Sequence, residues 1–437
     1  MKGFNEPSRT SRSGAAILGV LALTAALAAC GGSSPSCPPA SDPPTAPAPP
    51  PPPPPPPPAP GAPDEALPRL APGPHWGVIT GFDDLSARPG EPDRAARAEA
   101  LRGELAAAGE SIGRAQLDWS ELEPSRGVYD AAPLEAALAA VSSGGRAPYL
   151  TLSTLDSFDI TLPAYLMDGD AALAPGLSLD SPEVLEAFDA FLDWLVPQLA
   201  DQGVWGLSLG NETDVLVDDG IVDPQAALTF FTRGAERAKA LDPDLAVTVT
   251  FTESADDALS MSFLLDDYLA AFDIVAFNFY CSGEDFLVRA PAEWDAVIDR
   301  WLDLAEGKAI FIQELGCPAG YGDDGAGAPA RPAGGLGASP EIQAAFFAHM
   351  AARFRDEPRL RAATAFQLFD WSPALAAQFG DILRDDGFGL AGDRFEEALA
   401  TIGLCRWADA TCRPAWDAFL EGVETLQDAR GATDRAP

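Results

Sequence analysis

Histidine is scarce in this sequence, where His75 and His349 are the only two among 437 residues. Two histidines so far apart along the chain do not form the ligand cluster of a His-rich zinc centre. They also leave no convincing Ser-His-Asp set for hydrolysis by a serine nucleophile. No metal is therefore expected, and an enzyme built on this chain would use other groups for its chemistry.

Basic residues are few as well, because 28 Lys and Arg stand against 66 Asp and Glu, for a formal net charge of −38. Such a surface repels a phosphate backbone, so nucleic acid is not an expected partner. A glycine fingerprint of the type G-x-G-x-x-G does not follow the first predicted strand, Trp76 to Gly81. A dinucleotide is thus not indicated, and no cofactor is expected.

The amino terminus has an apolar run that is too short to cross a membrane comfortably. Basic residues precede this run, which extends from Ala15 to Ala29 and ends in Leu27-Ala-Ala-Cys30. The arrangement resembles a bacterial lipoprotein signal with its lipobox. Residues 1–29 are therefore predicted to be a signal peptide. Cys30 would be the lipid-modified first residue of a chain anchored in the bacterial cell envelope, at the outer membrane or cell surface. An ordinary cleaved signal is the alternative.

Residues 30–74 are predicted to be a disordered linker, since 20 of the 37 residues from Pro38 to Pro74 are proline. Proline has no amide donor and a fixed φ, so this composition favours a stiff polyproline II spacer of roughly 100 Å. A ligand for a proline-reading domain is the alternative. A tether fits the order of the chain better, because it joins the lipid site to a globular domain.

Six cysteines are present, and an exported chain can form disulfides among those that carry no lipid. Cys281 follows one predicted strand and Cys317 follows the next. Cys405 and Cys412 lie close together near the end of the chain. These are the two predicted bridges, and Cys37 has no predicted partner.

From about His75 the chain alternates short apolar strands with amphipathic helices, eight times in all. The predicted strands are Trp76 to Gly81, Ile112 to Leu117, Pro148 to Ser153, Val204 to Gly210, Leu245 to Thr252, Asp273 to Tyr280, Ala309 to Gln313 and Ala363 to Phe369. Eight βα units favour an α/β fold with a single (β/α)8 TIM barrel over residues 75–430. An open doubly wound sheet is the alternative.

The fourth and seventh predicted strands are each followed directly by a glutamate, Glu212 and Glu314. In a (β/α)8 barrel the carboxyl ends of the strands form the functional face, and alternate side chains point into the barrel. The same alternation aligns Arg114 with the interior of the second strand, Tyr280 with the sixth and Trp371 with the eighth. Polar groups from five strands are therefore expected to converge.

Short sequences at these strand ends resemble the clan A glycoside hydrolases, (β/α)8 enzymes with an Asn-Glu pair after strand four and a Glu after strand seven. The matching stretches span nearly the whole domain: Gly113-Arg114, Trp119 to Gly127, Gly210-Asn-Glu212, Asn278-Phe-Tyr280, Gln313-Glu-Leu-Gly316 and Phe369-Asp-Trp371. Each stretch is weak alone, and their shared order is specific. Many branches place a histidine in the loops after strands four to six. This chain has none there, so branch and substrate stay open.

The resemblance implies a retaining glycoside hydrolase that acts on a β-linked poly- or oligosaccharide. Glu212 would be the acid/base and Glu314 the nucleophile. The chemistry needs one carboxylic acid to protonate the leaving oxygen and one carboxylate on the other side of the anomeric carbon. Aromatic rings suit the apolar faces of sugars. The substrate-binding residues expected here are Arg114, Asn211, Tyr280, Trp371 and Trp119.

A different class of function also fits the pattern, namely a barrel that binds glycans or serves as a surface scaffold without catalysis. Turnover separates the two interpretations. The sequence favours the enzyme because both glutamates are present.

The lipid anchor leads to the first testable prediction. Expressed in a bacterial host, Cys30→Ser should leave the membrane fraction and appear in the soluble fraction, because no sulfur is left to carry the acyl chains. Fractionation and amino-terminal analysis of the wild type and the variant check this. A soluble wild type that begins at another residue would contradict the anchor.

Overall fold

The structure is a computed structural model that describes residues 67–80, 92–157, 159–169, 172–255, 265–283, 285–321, 335–385 and 387–433. Residues 1–66 lie outside these ranges, and with them the predicted signal peptide, the predicted lipid site Cys30, Cys37 and most of the proline-rich stretch. None of the helices in the described ranges combines the length and the apolar character that crossing a bilayer requires.

Within the described ranges, eight parallel strands form a closed barrel. They are β1 His75–Val78, β2 Ile112–Asp118, β3 Ala147–Ser153, β4 Gly206–Ser208, β5 in two segments Ala246–Thr248 and Thr250–Thr252, β6 Val275–Tyr280, β7 Ile310–Gly316 and β8 Leu360–Ala365. Hydrogen bonds order them as β2-β3-β4-β5 in one arc and β5-β6-β7-β8-β1 in the other. The two arcs share β5, whose two segments flank Val249. They meet a second time between β1 and the start of β2, where Ser111 N donates to Trp76 O at 3.1 Å and closes the barrel. The predicted (β/α)8 barrel is confirmed.

Helices surround the barrel. They are α1 Pro92–Ala108, α2 Trp119–Leu122, α3 Ala132–Ser142, α4 Pro182–Asp201, α5 Thr213–Asp218, α6 Pro224–Leu241, α7 Leu265–Ala271, α8 Pro291–Leu304, α9 Pro340–Asp356, α10 Pro373–Asp385, α11 Gly389–Leu399 and α12 Pro414–Thr433. Many begin with proline, which needs no donor at the first helical position. In α4, Phe188, Phe191 and Leu195 recur at helical spacing and are buried. This apolar face holds the helix against the strands.

An apolar plug closes the end of the barrel where the strands begin. Tyr149, Trp205 and Phe311 pack together there with ring centroids 4.6 to 5.5 Å apart. Leu67 and Leu70 belong to the same cluster and are 2% and 5% exposed. The packed chain therefore includes Leu67, which lies inside the linker predicted for residues 30–74.

Strand β8 begins earlier than predicted, at Leu360 instead of Ala363. Arg361 is the reason, since a charged residue is not expected inside a buried strand. Its guanidinium donates to Gly73 O at 3.0 Å and to Ala71 O at 2.9 Å. The backbone carbonyls of the segment before β1 thus stabilise the buried charge of Arg361. From the sequence pattern alone, this residue is expected before the strand and not in it.

Both predicted disulfides are present. Cys281 follows β6 and Cys317 follows β7, and their Cα atoms lie 5.0 Å apart. The second bridge joins Cys405 and Cys412. The first one cross-links the loops that follow two neighbouring strands, and each such bridge typically contributes about 2 to 4 kcal/mol to stability.

A buried ion pair fixes the loop after β8. The side chains of Asp370 and Arg413 are 4% and 1% exposed, and both guanidinium contacts to the carboxylate are 2.9 Å long. Asp370 also accepts from Gly403 N at 2.8 Å and Trp407 N at 3.3 Å. The pair ties the end of the barrel to the segment before α12.

Loss of one partner of this pair should destabilise the fold. Asp370→Ala leaves the Arg413 charge buried without its partner, which costs about 3 to 5 kcal/mol of unfolding free energy. The exposed pair Arg126–Glu183, at 3.2 Å, provides the matched control, and Glu183→Ala should cost less than about 1 kcal/mol. Chemical denaturation of both variants measures the difference, and equal losses would contradict the role given to Asp370.

Candidate active site

The strand ends bring the two predicted glutamates to the same face of the barrel. Glu314 lies within β7 and pairs in register with Asn278 of β6. Glu212 follows β4 and is the residue before α5, where it has the left-handed φ of 46°. Such a φ is uncommon for a residue with a side chain and is frequent at functional sites. The turn directs the Glu212 side chain towards Asn278.

Two donors hold the carboxylate of Glu314. Arg114 Nη1 donates to Oε1 at 3.0 Å, and Tyr280 Oη donates to Oε2 at 2.5 Å. Arg114 is itself fixed by Thr151, which accepts from Nε at 2.9 Å, and by Gln116, which accepts from Nη2 at 2.5 Å. Both oxygens of the Glu314 carboxylate therefore have a donor, one from a cation and one from a phenol.

The phenol of Tyr280 remains a neutral donor. Burial raises its pKa well above the ordinary value, and the negative charge of Glu314, joined at alkaline pH by that of Glu212, raises it further. Tyr280 therefore keeps its proton on the side of Glu314 throughout the neutral pH range.

The surroundings of Glu212 are different. Asn278 Nδ2 donates to Oε1 at 2.9 Å and Ser157 Oγ lies 2.7 Å from Oε2, so both of these partners are neutral. Burial raises the pKa of Glu212 to about 8, the charge of Glu314 adds to the increase, and the two hydrogen bonds oppose it. Glu212 is thus protonated at neutral pH.

Asn211 is held on both ends of its amide. Its Oδ1 accepts from Gln313 Nε2 at 2.9 Å and from Asn278 Nδ2 at 3.3 Å. Its Nδ2 donates to Asp156 Oδ1 at 2.8 Å. An amide nitrogen has two hydrogens, and among the described residues only Asp156 accepts from Asn211 Nδ2, so the second N–H can serve a ligand.

Trp119 is wrongly predicted as a substrate platform, because the structure makes it a core residue. It is fully buried, its ring lies 5.1 and 5.2 Å from Phe188 and Phe191, and its Nε1 donates to Glu123 at 2.8 Å. The residues of α4 that bury it lie far along the chain, so the local sequence carries no signal for this contact.

Trp371 lies beyond β8 and is half-buried. Its ring centroid is 6.5 Å from that of Phe366, which in turn lies 5.9 Å from the ring of Tyr280. On the other side, Phe379 of α10 contacts Trp371 at 4.9 Å. Trp371 therefore belongs to a row of aromatic rings that leads away from Glu314.

Sequence reasoning missed Asp156 and Ser157. They lie on a short hairpin after β3, formed by Leu155–Asp156 and Asp159–Ile160. No strand-end pattern points to them, because the hairpin interrupts the alternation of strand and helix. Gln116 carried a signal, since it alternates with residues that face the helices. Gln313 carried none, because alternation would turn it away from its neighbour Glu314, and only a register shift between Ile312 and Glu314 brings both side chains into the site.

Among the described residues, no group of three or more His, Cys, Asp or Glu is arranged to hold a metal ion. The functional side chains of this face are carboxyl, amide, hydroxyl, phenol and guanidinium groups. They include a protonated carboxyl group after β4 and a second carboxyl group in β7 that Arg114 and Tyr280 hold, and acid-assisted displacement at a carbon centre requires such a pair.

Comparisons with known proteins show the fold. No family model matches the chain, and no curated protein is significantly similar. Among solved structures, a GH5_18 from Streptomyces cattleya in complex with GlcNAc is 18% identical, with 84% of this chain and 82% of that chain covered and a TM-score of 0.55. An exo-beta-1,4-mannosidase from Opitutaceae bacterium strain TAV5 is 16% identical, with 83% of this chain and 60% of that chain covered and a TM-score of 0.55.

Xylanase 10B from Thermotoga maritima is 14% identical over 85% of this chain and 100% of that chain, with a TM-score of 0.51. These neighbours are glycoside hydrolases with a TIM barrel. The chain therefore has the fold that its resemblance to clan A implies.

The acidity of Glu212 can be measured directly. In protein labelled with 13C at the glutamate carboxyl groups, the Glu212 signal should titrate with a midpoint near pH 8. It is assigned by its absence from Glu212→Gln. In Glu314→Gln the midpoint should fall, because a neighbouring negative charge has been removed. A midpoint in the ordinary glutamate range, unchanged by that substitution, would contradict the description of the site.

Proposed function

We propose that this chain is a retaining glycoside hydrolase that cleaves a β-linked poly- or oligosaccharide by double displacement. The observation that carries the proposal is the unequal environment of two carboxyl groups. Glu314 contacts Arg114 and Tyr280, whereas Glu212 is half-buried with neutral partners and keeps its proton to about pH 8. Retaining glycosidases need this combination of a charged nucleophile and a protonated acid.

In the first step an oxygen of Glu314 attacks the anomeric carbon. The bond to the glycosidic oxygen breaks, and Glu212 transfers its proton to that oxygen, so the leaving group departs as an alcohol. Glu314 is then covalently bound to the sugar, and Glu212 is ionised. Tyr280 and Arg114 lose part of their contact with Glu314 as its charge is consumed.

In the second step Glu212 acts as the base. It takes a proton from a water molecule whose oxygen attacks the anomeric carbon, and the bond to Glu314 breaks. Both carboxyl groups return to their starting states, and the configuration at the anomeric carbon is retained. The remaining N–H of Asn211 is available to a hydroxyl of the sugar next to this carbon.

The sugar is the finer part of the proposal. Structural neighbours include GH5_18 proteins in complex with GlcNAc and with Manb1-4GlcNAc, an exo-beta-1,4-mannosidase and a xylanase. A panel for this chain should therefore contain aryl β-mannosides and β-xylosides, Manb1-4GlcNAc, mannan and xylan. We also propose that the enzyme works at the cell envelope, tethered through Cys30 and its proline-rich linker, which the sequence supports.

The two glutamates should respond differently to substitution. Glu314→Ala removes the nucleophile and should be nearly inactive on every substrate. Glu212→Ala loses proton donation, which an activated aryl leaving group hardly needs. It should release a burst of aryl alcohol and then turn over slowly. Rapid-mixing kinetics measures the burst.

Wild-type enzyme provides the reference, and its rate should fall as the pH rises above about 8, where Glu212 loses its proton. Exposed Glu183→Ala serves as a control that should match the wild type. Equal loss of activity in both glutamate variants on the aryl substrate would contradict the division of roles.

NMR of the first-formed product tests retention, and an inverted anomer would remove Glu314 as nucleophile. Absence of turnover with bound oligosaccharide would favour a glycan-binding barrel.

A further inference from the structure

The hairpin after β3 is attached directly to the backbone of Asn211. Asn211 N donates to Leu155 O at 2.9 Å, and Ser157 N donates to Asn211 O at 3.1 Å. Asp156 forms a β-bridge with Asn211 between these two bonds. The hairpin and the turn that carries Glu212 are therefore one backbone unit, although more than fifty residues separate them in sequence.

Ser157 occupies an unusual backbone conformation at this contact. Its φ is 47°, in the left-handed region that glycine favours. A serine here costs more than a glycine would, and its hydroxyl lies 2.7 Å from Glu212 Oε2. The strained residue thus provides a hydroxyl group that glycine cannot.

Asp156 contacts groups on both sides of the site. Its Oδ1 accepts from Asn211 Nδ2 at 2.8 Å, and its Oδ2 accepts from Gln116 Nε2 at 2.6 Å. Gln116 in turn accepts from Arg114, the residue that contacts Glu314. A continuous hydrogen-bonded path therefore joins the nucleophile to the residue beside the acid/base.

We propose that this hairpin positions the catalytic groups of the β4 side, with Ser157 holding the Glu212 carboxyl group and Asp156 holding the amide of Asn211. The roles of Glu212 and Asn211 rest on the proposed function. Ser157 and Asp156 are positioning residues, since they act through these two side chains.

One hydroxyl proton serves two states of Glu212. Ser157 Oγ lies 2.7 Å from Glu212 Oε2 and 3.4 Å from Asp156 Oδ1. While Glu212 is protonated on Oε1, Ser157 donates to the neutral Oε2. After Glu212 has given its proton to the leaving group, the same hydroxyl donates to a carboxylate, which is the stronger acceptor. No covalent bond of Ser157 breaks in either state.

Other charged groups face Glu212 from the surrounding elements. Glu314 of β7 and Asp214 of α5 act on it with negative charge, and Tyr280 of β6 is a neutral phenol that lies close enough to be affected by it. Asp156 on the hairpin and Arg114 of β2 are further charged groups, joined to the site through Asn211 and Glu314. All of these groups are left in place by a substitution at Ser157, so a change in titration reports the hydroxyl alone.

The first variant is Ser157→Gly, which removes the hydroxyl in a conformation that suits glycine. Loss of a donor to the ionised form should raise the titration midpoint of Glu212 by about 0.5 to 1 pH unit. With a poor leaving group kcat should fall by about three- to tenfold, while release of an activated aryl alcohol in the first step should be unchanged. The matched control is Glu306→Gly, an exposed residue with φ of 49° remote from the site.

The second variant is Asp156→Asn. The wild-type carboxylate accepts from the amides of Asn211 and Gln116, and an asparagine has only one oxygen to accept from them. Its kcat/KM should fall on a glycoside that has a 2-hydroxyl, and the fall should be smaller on the matching 2-deoxy glycoside. That difference is expected because Asn211 would have nothing to contact in the deoxy sugar. Equal losses on the two substrates would overturn the role of Asp156.

Carboxyl 13C titration separates this proposal from the proposed function. If the wild type turns over no glycoside, the proposed function fails, and the Glu212 midpoint in Ser157→Gly still decides whether the hairpin holds this carboxyl group. A midpoint equal to that of wild type and of Glu306→Gly would overturn the role of Ser157. So would an equal loss of rate on poor and activated leaving groups.

Discussion

The arrangement of the site depends on the hydrogen bonds of one buried side-chain amide, that of Gln313. It is fully buried, its Oε1 accepts from Thr151 and Thr250 at 2.9 and 2.8 Å, and its Nε2 donates to Asn211 at 2.9 Å. A buried polar group without partners is costly, so each of these contacts constrains the others. One side chain of β7 therefore sets the relative positions of β3, β5 and the turn after β4, directly beside Glu314.

From that amide outwards, the barrel separates two kinds of interior. Towards the amino ends of the strands, Tyr149, Trp205 and Phe311 form a dry plug. Towards the carboxyl ends the same strands carry amide, hydroxyl and charged groups that pair with one another. The dry plug provides the stability through apolar burial, which lets the opposite end hold two carboxyl groups near each other. Burial and the nearby charge of Glu314 together raise the pKa of Glu212. Glu212 is therefore protonated, while Arg114 holds the Glu314 carboxylate.

Much of the fold and part of the site could be predicted from local patterns. The barrel follows from eight alternations, and both bridges follow from cysteines that succeed strands or neighbour each other. The start of β8 was predicted wrongly, because a charged residue such as Arg361 is not expected inside a buried strand. The carbonyls of Ala71 and Gly73, far away in sequence, accept its hydrogen bonds and allow it to be buried there. In the site, residues on regular strands were found by their alternation. Asp156 and Ser157 were not, because a two-residue strand has no period to detect.

By itself the sequence determined which carboxyl groups lie near the carboxyl ends of the fourth and seventh strands, since the order of residues there is local and a parallel barrel brings all such ends to one face. Only the tertiary structure decided what each group contacts. Trp119 became core because α4 packs on it, and Ser157 reached Glu212 because the hairpin pairs with Asn211. Such contacts join residues far apart in the chain, and their selection depends on burial and on satisfying every polar group in the folded barrel at once.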